Sequence, residues 1–168
     1  MSSINSEAFN NITFWQFLKP SPQNKQIIDA HRKQPNAVLN AKTPSYKYFG
    51  NPQYTGNNKA SIDDCLEVIT VSESIKVAIK NKWVSLQNKA NGLALASWTF
   101  SIVFGVLVGT GYLSAIFRIS TIAFAMLGIV FAGYRNNAMA GTKEWSRDLI
   151  KEAATARQAC NPALGGLE

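Results

Sequence analysis

The chain contains two long stretches without a charged residue, Leu93 to Phe117 and Ile119 to Tyr134, which are separated only by Arg118. A helix rises about 1.5 Å per residue, so the first stretch can extend about 37 Å and cross a hydrocarbon core of about 30 Å. The second stretch reaches only about 24 Å, so a span across the core must also include neighbouring neutral residues. The sequence predicts a transmembrane hairpin over 93–137, with spans 93–115 and 117–137.

Basic residues lie on both outer flanks of the predicted hairpin. Four Lys or Arg occur in 73–92 and four more in 135–154, whereas the turn holds only Arg118. Positively charged flanks stay on the cytoplasmic side of a membrane. A short turn centred near residue 116 also makes the spans antiparallel neighbours. We therefore expect an integral membrane protein with both termini on the cytoplasmic side, or on the matrix or stroma side of an organelle membrane.

The segments outside the hairpin differ in their patterning. Apolar residues recur every three or four positions in 61–92 and in 138–160, which predicts two amphipathic juxtamembrane helices. Residues 1–60 hold seven Lys or Arg, two acidic residues and five prolines, without a sustained apolar period. This composition predicts a largely disordered, flexible basic tail, in which only 6–18 is partly amphipathic. The predicted class is an all-α membrane protein with a two-span antiparallel helical hairpin.

Small residues recur along both predicted spans. Helix backbones approach closely along such stripes, which is one of the few sources of contact between helices in lipid. The stripes pack on each other within one hairpin, or one of them also makes contacts between subunits; we favour the first alternative because a short turn brings the stripes together. The predicted helix-packing seam comprises Ser97, Ser101, Gly105 and Gly109 with Thr121, Ala125, Gly128 and Ala132.

Two further groups of side chains are candidates for contact with lipid. Aromatic and basic residues near the ends of apolar helices commonly lie at headgroup level. The predicted membrane-interface anchors are Trp83, Trp98, Arg118, Arg135 and Trp145. In segment 6–18, Phe9, Ile12 and Trp15 share one helical arc and are candidate contacts for lipid or a partner protein. The alternative for that segment is packing against the protein itself.

No group of residues predicts catalysis or a cofactor. Neither span contains an internal charged residue or histidine, and no hydrolase or nucleotide-binding motif occurs. His31, Cys65 and Cys160 are far apart in sequence and lack metal-ligand spacing. We therefore expect no enzyme activity, no catalytic, cofactor-binding or metal site, and no cofactor. The tail has aromatic residues among lysines but no RNA-binding signature, so no nucleic-acid partner is expected.

The layout of a polar N-terminal segment, two apolar stretches and a helical C-terminus resembles that of chlamydial inclusion-membrane proteins. It is also similar to curvature-inducing thylakoid proteins and to accessory subunits of respiratory or secretion complexes, on topology alone. The expected function is that of a structural or interaction component, either an accessory subunit or a membrane-displayed effector. Expected partners are the lipid bilayer, proteins bound by the juxtamembrane helices, and further copies of the chain. Two alternatives are a small pore-forming or holin-like oligomer and a membrane-curvature scaffold.

Overall fold

The computed structural model describes residues 6–33 and 59–164 of the chain. Within these ranges the chain is mostly helical and contains no strand, which confirms the predicted all-α class for the described residues. A 3₁₀ turn at Ala115–Phe117 immediately precedes the last helix. The helices are α1 (Ser6–Asn10), α2 (Phe14–Leu18), α3 (Pro22–Lys33), α4 (Lys59–Gly109) and α5 (Arg118–Leu164).

Three short helices occupy residues 6–33, where the sequence predicted one partly amphipathic segment and a flexible tail. Thr13 begins α2 with a capping box, because the Gln16 backbone N–H donates to Thr13 Oγ1 at 3.2 Å and the Thr13 N–H donates to Gln16 Oε1 at 2.8 Å. Ser21 Oγ accepts from the Asn24 N–H at 3.2 Å, with Pro22 in the first turn of α3. The prediction of a flexible tail is therefore wrong for Pro22–Lys33, whereas 6–18 was predicted only as a partly amphipathic segment. Residues 34–58, which belong to the same predicted tail, lie outside the described residues.

A glycine turn connects α4 to α5. The first of these helices ends at Gly109, and Gly111 adopts a left-handed conformation with φ of 80°. The Leu113 N–H donates to the Leu107 carbonyl oxygen at 3.1 Å across this turn. The chain therefore reverses a few residues before the centre expected near residue 116.

The chain divides into two compact units. The terminal unit comprises Met1–Lys82 with Gly141–Glu168, and the central unit comprises Trp83–Ala140. Helices α4 and α5 contribute residues to both units. Buried side chains of the terminal unit include Phe9, Ile12, Phe17, Ile28, His31, Lys76, Ile79 and Trp145, and those of the central unit include Trp83, Leu86, Ala90, Ala94, Ser97 and Ala138.

Two helical segments are long and apolar enough to cross a membrane. They are Lys76–Gly109 and Ala115–Ile150. In the most apolar window of each segment, only 11% and 6% of the residues are buried within the protein. A core helix of a water-soluble protein buries its apolar face against other protein elements, and these segments leave most of theirs uncovered. Their exposed side chains include Phe100, Ile102, Val106, Ile122, Met126 and Ile129.

Candidate functional site

The two long helices approach closely at the middle of the predicted seam. Ser101 Oγ donates a hydrogen bond to the Thr121 carbonyl oxygen at 2.9 Å. A Cβ atom placed on Gly105 would lie 3.6 Å from Thr121 Cγ2, which is ordinary van der Waals contact. Ser97, also a predicted seam residue, is buried with 8% of its surface exposed. The structure therefore brings Ser101 and Gly105 against Thr121 within a single chain.

Trp98 contacts the other helix through Gly128. A Cβ atom on Gly128 would overlap Nε1 and Cδ1 of the Trp98 indole, so only glycine leaves room for the ring where it lies. Sequence reasoning placed Gly128 in the seam and Trp98 at the membrane interface. The sequence signal for this contact is one large aromatic residue and one glycine on facing helices. The ring of one fills the space that the missing side chain of the other leaves.

The remaining predicted seam residues pack less tightly between the two helices. A Cβ atom on Gly109 would meet nothing within 4 Å, because the helix ends there and the turn begins. Ala125 and Ala132 are partly exposed. Within the predicted seam, the closest contacts to α5 thus come from Ser101 and Gly105. Next to the seam, Phe104 of α4 also stacks with Phe124 of α5, with ring centroids 5.6 Å apart.

We expect Gly128→Ala to destabilise the packing of the central unit by about 1–3 kcal/mol, the usual cost of forcing extra volume into a packed contact. Thermal unfolding of the detergent-purified protein measures the change. Gly133→Ala is the matched control, because a Cβ on Gly133 meets nothing within 4 Å. Trp98→Ala combined with Gly128→Ala removes the overlapping ring. An equal loss in Gly128→Ala with and without Trp98→Ala would contradict the steric explanation.

Hydroxyl groups in the apolar stretches bond to backbone carbonyls of their own chain. Thr99 Oγ1 donates to Leu95 at 2.9 Å, and Thr110 Oγ1 donates to Val106 at 2.8 Å. Together with the Ser101 bond to Thr121, these contacts give each hydroxyl an acceptor without water. A polar side chain inside a hydrocarbon core needs a hydrogen-bond partner of this kind, because no water is present there.

The predicted interface anchors fall into two groups. Trp83 and Trp145 are 0% exposed, so protein atoms rather than lipid surround their indole rings. Their prediction as lipid-facing anchors is wrong for that reason. Trp98 is 37% exposed, Arg118 is exposed, and Arg135 is partly exposed. These three side chains remain accessible to a surrounding medium.

The arginine at the end of the second uncharged stretch contacts only amide groups among the described residues. Arg135 Nη1 donates to Asn91 Oδ1 at 3.4 Å, across the helix pair. Its Nε and Nη2 donate to Asn136 Oδ1 at 3.4 Å and 3.1 Å. The side chain is therefore held in place by neutral acceptors, which leave its positive charge uncompensated.

An aromatic and imidazole cluster forms the centre of the terminal unit. The rings of Phe9 and His31 stack with centroids 4.6 Å apart, and those of His31 and Trp145 with centroids 6.5 Å apart. Trp145 Nε1 donates to the His31 carbonyl oxygen. Contacts of α1, α3 and α5 thus converge on one histidine, which is 0% exposed.

The protonation of this histidine follows from its contacts. His31 Nδ1 donates to the Ile27 carbonyl oxygen at 2.7 Å, so Nε2 carries the lone pair of the neutral ring, and Nε2 is buried without a hydrogen-bond partner. Burial lowers the pKa of His31 from 6.5 to about 4, and the bond to Ile27 only partly opposes this effect. The ring is therefore neutral at physiological pH.

A buried ion pair links α4 and α5 within the terminal unit. Lys76 Nζ lies 2.7 Å from Asp148 Oδ2, with the lysine side chain 1% exposed and the aspartate side chain 16% exposed. The other ion pair at this end of α5, Arg147 with Glu144, lies 3.6 Å apart and is largely exposed. Lys76 and Asp148 are 72 positions apart in the sequence, so only the register between the two helices identifies them as partners.

The three apolar residues of segment 6–18 that were predicted to contact lipid or a partner differ in their burial. Phe9 and Ile12 are 0% and 2% exposed, so they belong to the core of the terminal unit and not to a docking surface. Trp15 is 72% exposed, and its ring meets Phe14 edge to face with centroids 6.1 Å apart. Only Trp15 keeps the accessibility that the prediction required.

Comparison of the chain with known proteins gives no family to which it can be assigned, because no family model, curated protein or solved structure matches it. Among the described residues, no group of three or more His, Cys, Asp or Glu side chains could hold a metal ion.

Proposed function

We propose that the protein is a non-enzymatic, two-span integral membrane protein that acts as a structural or interaction component. The helix pair of the central unit forms an antiparallel hairpin that anchors the chain in the bilayer, with both termini on the cytoplasmic, matrix or stroma side. Helical segments outside the bilayer bind partner proteins. This role suits an accessory subunit of a membrane assembly or an effector displayed on a membrane.

The exposure of the apolar side chains carries this proposal. Ile102, Val106, Ile122 and Ile129 are each between 58% and 66% exposed, in stretches that contain no charged residue. Leaving such surface in water costs roughly 25 cal/mol for every Å², whereas hydrocarbon tails accept it. The internal hydrogen bonds of Thr99, Ser101 and Thr110 support the same environment.

The folded terminal unit supports the interaction part of the proposal. Its large aromatic side chains Phe9 and Trp145 are buried, and its buried lysine is paired with Asp148. A compact unit of this kind presents one defined surface, which suits recognition of a partner protein better than a disordered tail does. The exposed Trp15 is the most prominent apolar side chain on the described part of α1–α3.

The observed contacts give less support to the two alternatives. A pore would use Ser97, Thr99 and Ser101 to hold water, but Ser97 is buried and the other two hydroxyls bond to backbone carbonyls. A curvature scaffold would insert the apolar face of 6–18 into lipid, but Phe9 and Ile12 of that face are buried in protein. We therefore prefer the anchored interaction component.

We expect single cysteines in the turn and in α3 to react from opposite sides of the membrane. Ser114→Cys and Gln23→Cys, both at exposed positions, are made in a chain carrying Cys65→Ser and Cys160→Ser. In bacterial spheroplasts, a membrane-impermeant maleimide labels the turn variant directly and the α3 variant only after lysis. Retention of the protein in carbonate-washed membranes is measured alongside. Labelling of both cysteines from one side would refute the hairpin.

A further inference from the structure

The central unit has an unbalanced charge. It contains Lys89, Arg118 and Arg135 and no aspartate or glutamate. The absence of carboxylates extends beyond the unit, since no Asp or Glu occurs from Ser74 to Lys143. An arginine in this unit therefore has no carboxylate of its own unit to pair with. Among the described residues, the hydrogen-bond partners of the Arg135 side chain are both amides, so a bound anion can supply its counter-charge.

Arg135 differs from the other two basic residues because its side chain is held by both helices. Nη1 bonds to Asn91 of α4, while Nε and Nη2 bond to Asn136 of α5. For Arg118, no hydrogen bond or ion pair involving the side chain occurs among the described residues, although it carries the same charge. Fixing a guanidinium before a ligand arrives reduces the entropy lost on binding.

The hydrogen-bond inventory of this cluster favours an anion. A guanidinium has five N–H donors, and the contacts of Arg135 to Asn91 and Asn136 use three of them. One N–H on each Nη atom remains, which is the spacing that two oxygens of a phosphate accept. Both asparagines give their oxygen to Arg135, so their NH₂ groups remain as further donors. The cluster therefore offers mainly N–H donors and positive charge to one ligand.

We propose that Arg135, Asn91 and Asn136 bind the phosphate of a net-anionic phospholipid headgroup. The inference rests on the membrane placement proposed above, because Arg135 follows directly on the uncharged stretch that ends at Tyr134. Arg135 lies two residues before the end of the predicted span 117–137, so its long side chain reaches the depth of the lipid phosphates. The choice of a net-anionic lipid follows from the carboxylate-free unit, whose positive charges repel a choline group and attract a negative headgroup.

The test uses the full-length protein, first shown to remain in carbonate-washed membranes and then purified in a neutral detergent. Its thermal unfolding is titrated with phosphatidylglycerol, with phosphatidylcholine and with inorganic phosphate. We expect phosphatidylglycerol to raise the unfolding temperature most. Arg135→Gln should weaken the apparent affinity for phosphatidylglycerol about tenfold or more, because a charge-assisted bidentate contact is lost. Arg118→Gln removes the same charge and should leave the affinity within about twofold.

A second variant separates geometry from net charge. Arg135→Lys keeps the positive charge but cannot bridge Asn91 and Asn136 with a planar fork, so we expect it to lose most of the affinity as well. Equal weakening in Arg118→Gln and Arg135→Gln, or full affinity in Arg135→Lys, would overturn the site. An equal response to phosphatidylcholine would overturn the headgroup class, and an equal response to inorganic phosphate would overturn lipid as its source. Failure of membrane retention would instead refute the proposed function.

Discussion

Asp148→Asn should lower the free energy of unfolding of the terminal unit by about 3 kcal/mol, the largest single effect we expect among polar substitutions. The change removes the negative charge 2.7 Å from Lys76 Nζ while the lysine side chain stays 1% exposed. Losing the carboxylate of a buried pair costs about 3–5 kcal/mol, because the remaining charge is poorly solvated. We choose the lower end because Asp148 is itself 16% exposed and water can partly enter. Chemical denaturation of the purified protein measures the loss.

Two controls distinguish the buried pair from general charge effects. Glu144→Gln breaks the exposed pair with Arg147 on the same helix, and its expected cost is below about 1 kcal/mol. Lys76→Met combined with Asp148→Leu replaces the pair with apolar groups and should recover most of the stability lost in Asp148→Asn. Equal losses in Asp148→Asn and Glu144→Gln would show that Lys76 and Asp148 contribute no more than a surface contact.

The apolar helices were predictable from sequence because their signal is local and long. A run such as Leu93–Phe117 excludes charge throughout its length, and no tertiary contact is needed to interpret it. The same reasoning found Ser101, Gly105 and Thr121, which the structure brings together. A period of three or four residues identifies one face of a helix, and the facing helix then follows from a short turn. The register within the central unit also depends on Gly111, whose left-handed conformation no helical period specifies.

The terminal unit was missed because its stabilising contacts are distant in sequence. His31 lies 114 residues before the Trp145 whose indole bonds to its carbonyl, and Lys76 lies 72 residues before Asp148. Prolines and amides suggested a flexible segment over 19–60, although Ser21 and Pro22 together form a recognisable helix start. The burial of His31 and Lys76 depends on which residues of α5 face them, and no local pattern carries that information.

The terminal unit should lose stability as the pH falls from 6.5 to about 4. Burial lowers the pKa of His31 from 6.5 in the unfolded chain to about 4 in the folded unit. Between these values the unfolded chain binds more protons than the folded one, so acid favours unfolding. Above pH 6.5 the ring is neutral in both states and the loss is absent; below about pH 4 it no longer grows. The full difference corresponds to roughly 3 kcal/mol.

Hydrogen exchange of α3 amides, corrected for the intrinsic effect of pH, measures this loss separately from changes in the central unit. His31→Phe keeps a ring between Phe9 and Trp145 but cannot take up a proton, so α3 in this variant should keep a similar protection from pH 6.5 to 4.5. Acid-dependent contributions from other groups act equally in both chains. The difference between wild type and His31→Phe therefore isolates the histidine. A parallel decline in the two proteins would show that the buried imidazole does not control the acid response, whereas a decline confined to wild type would assign it to Nε2, the ring nitrogen buried without a partner.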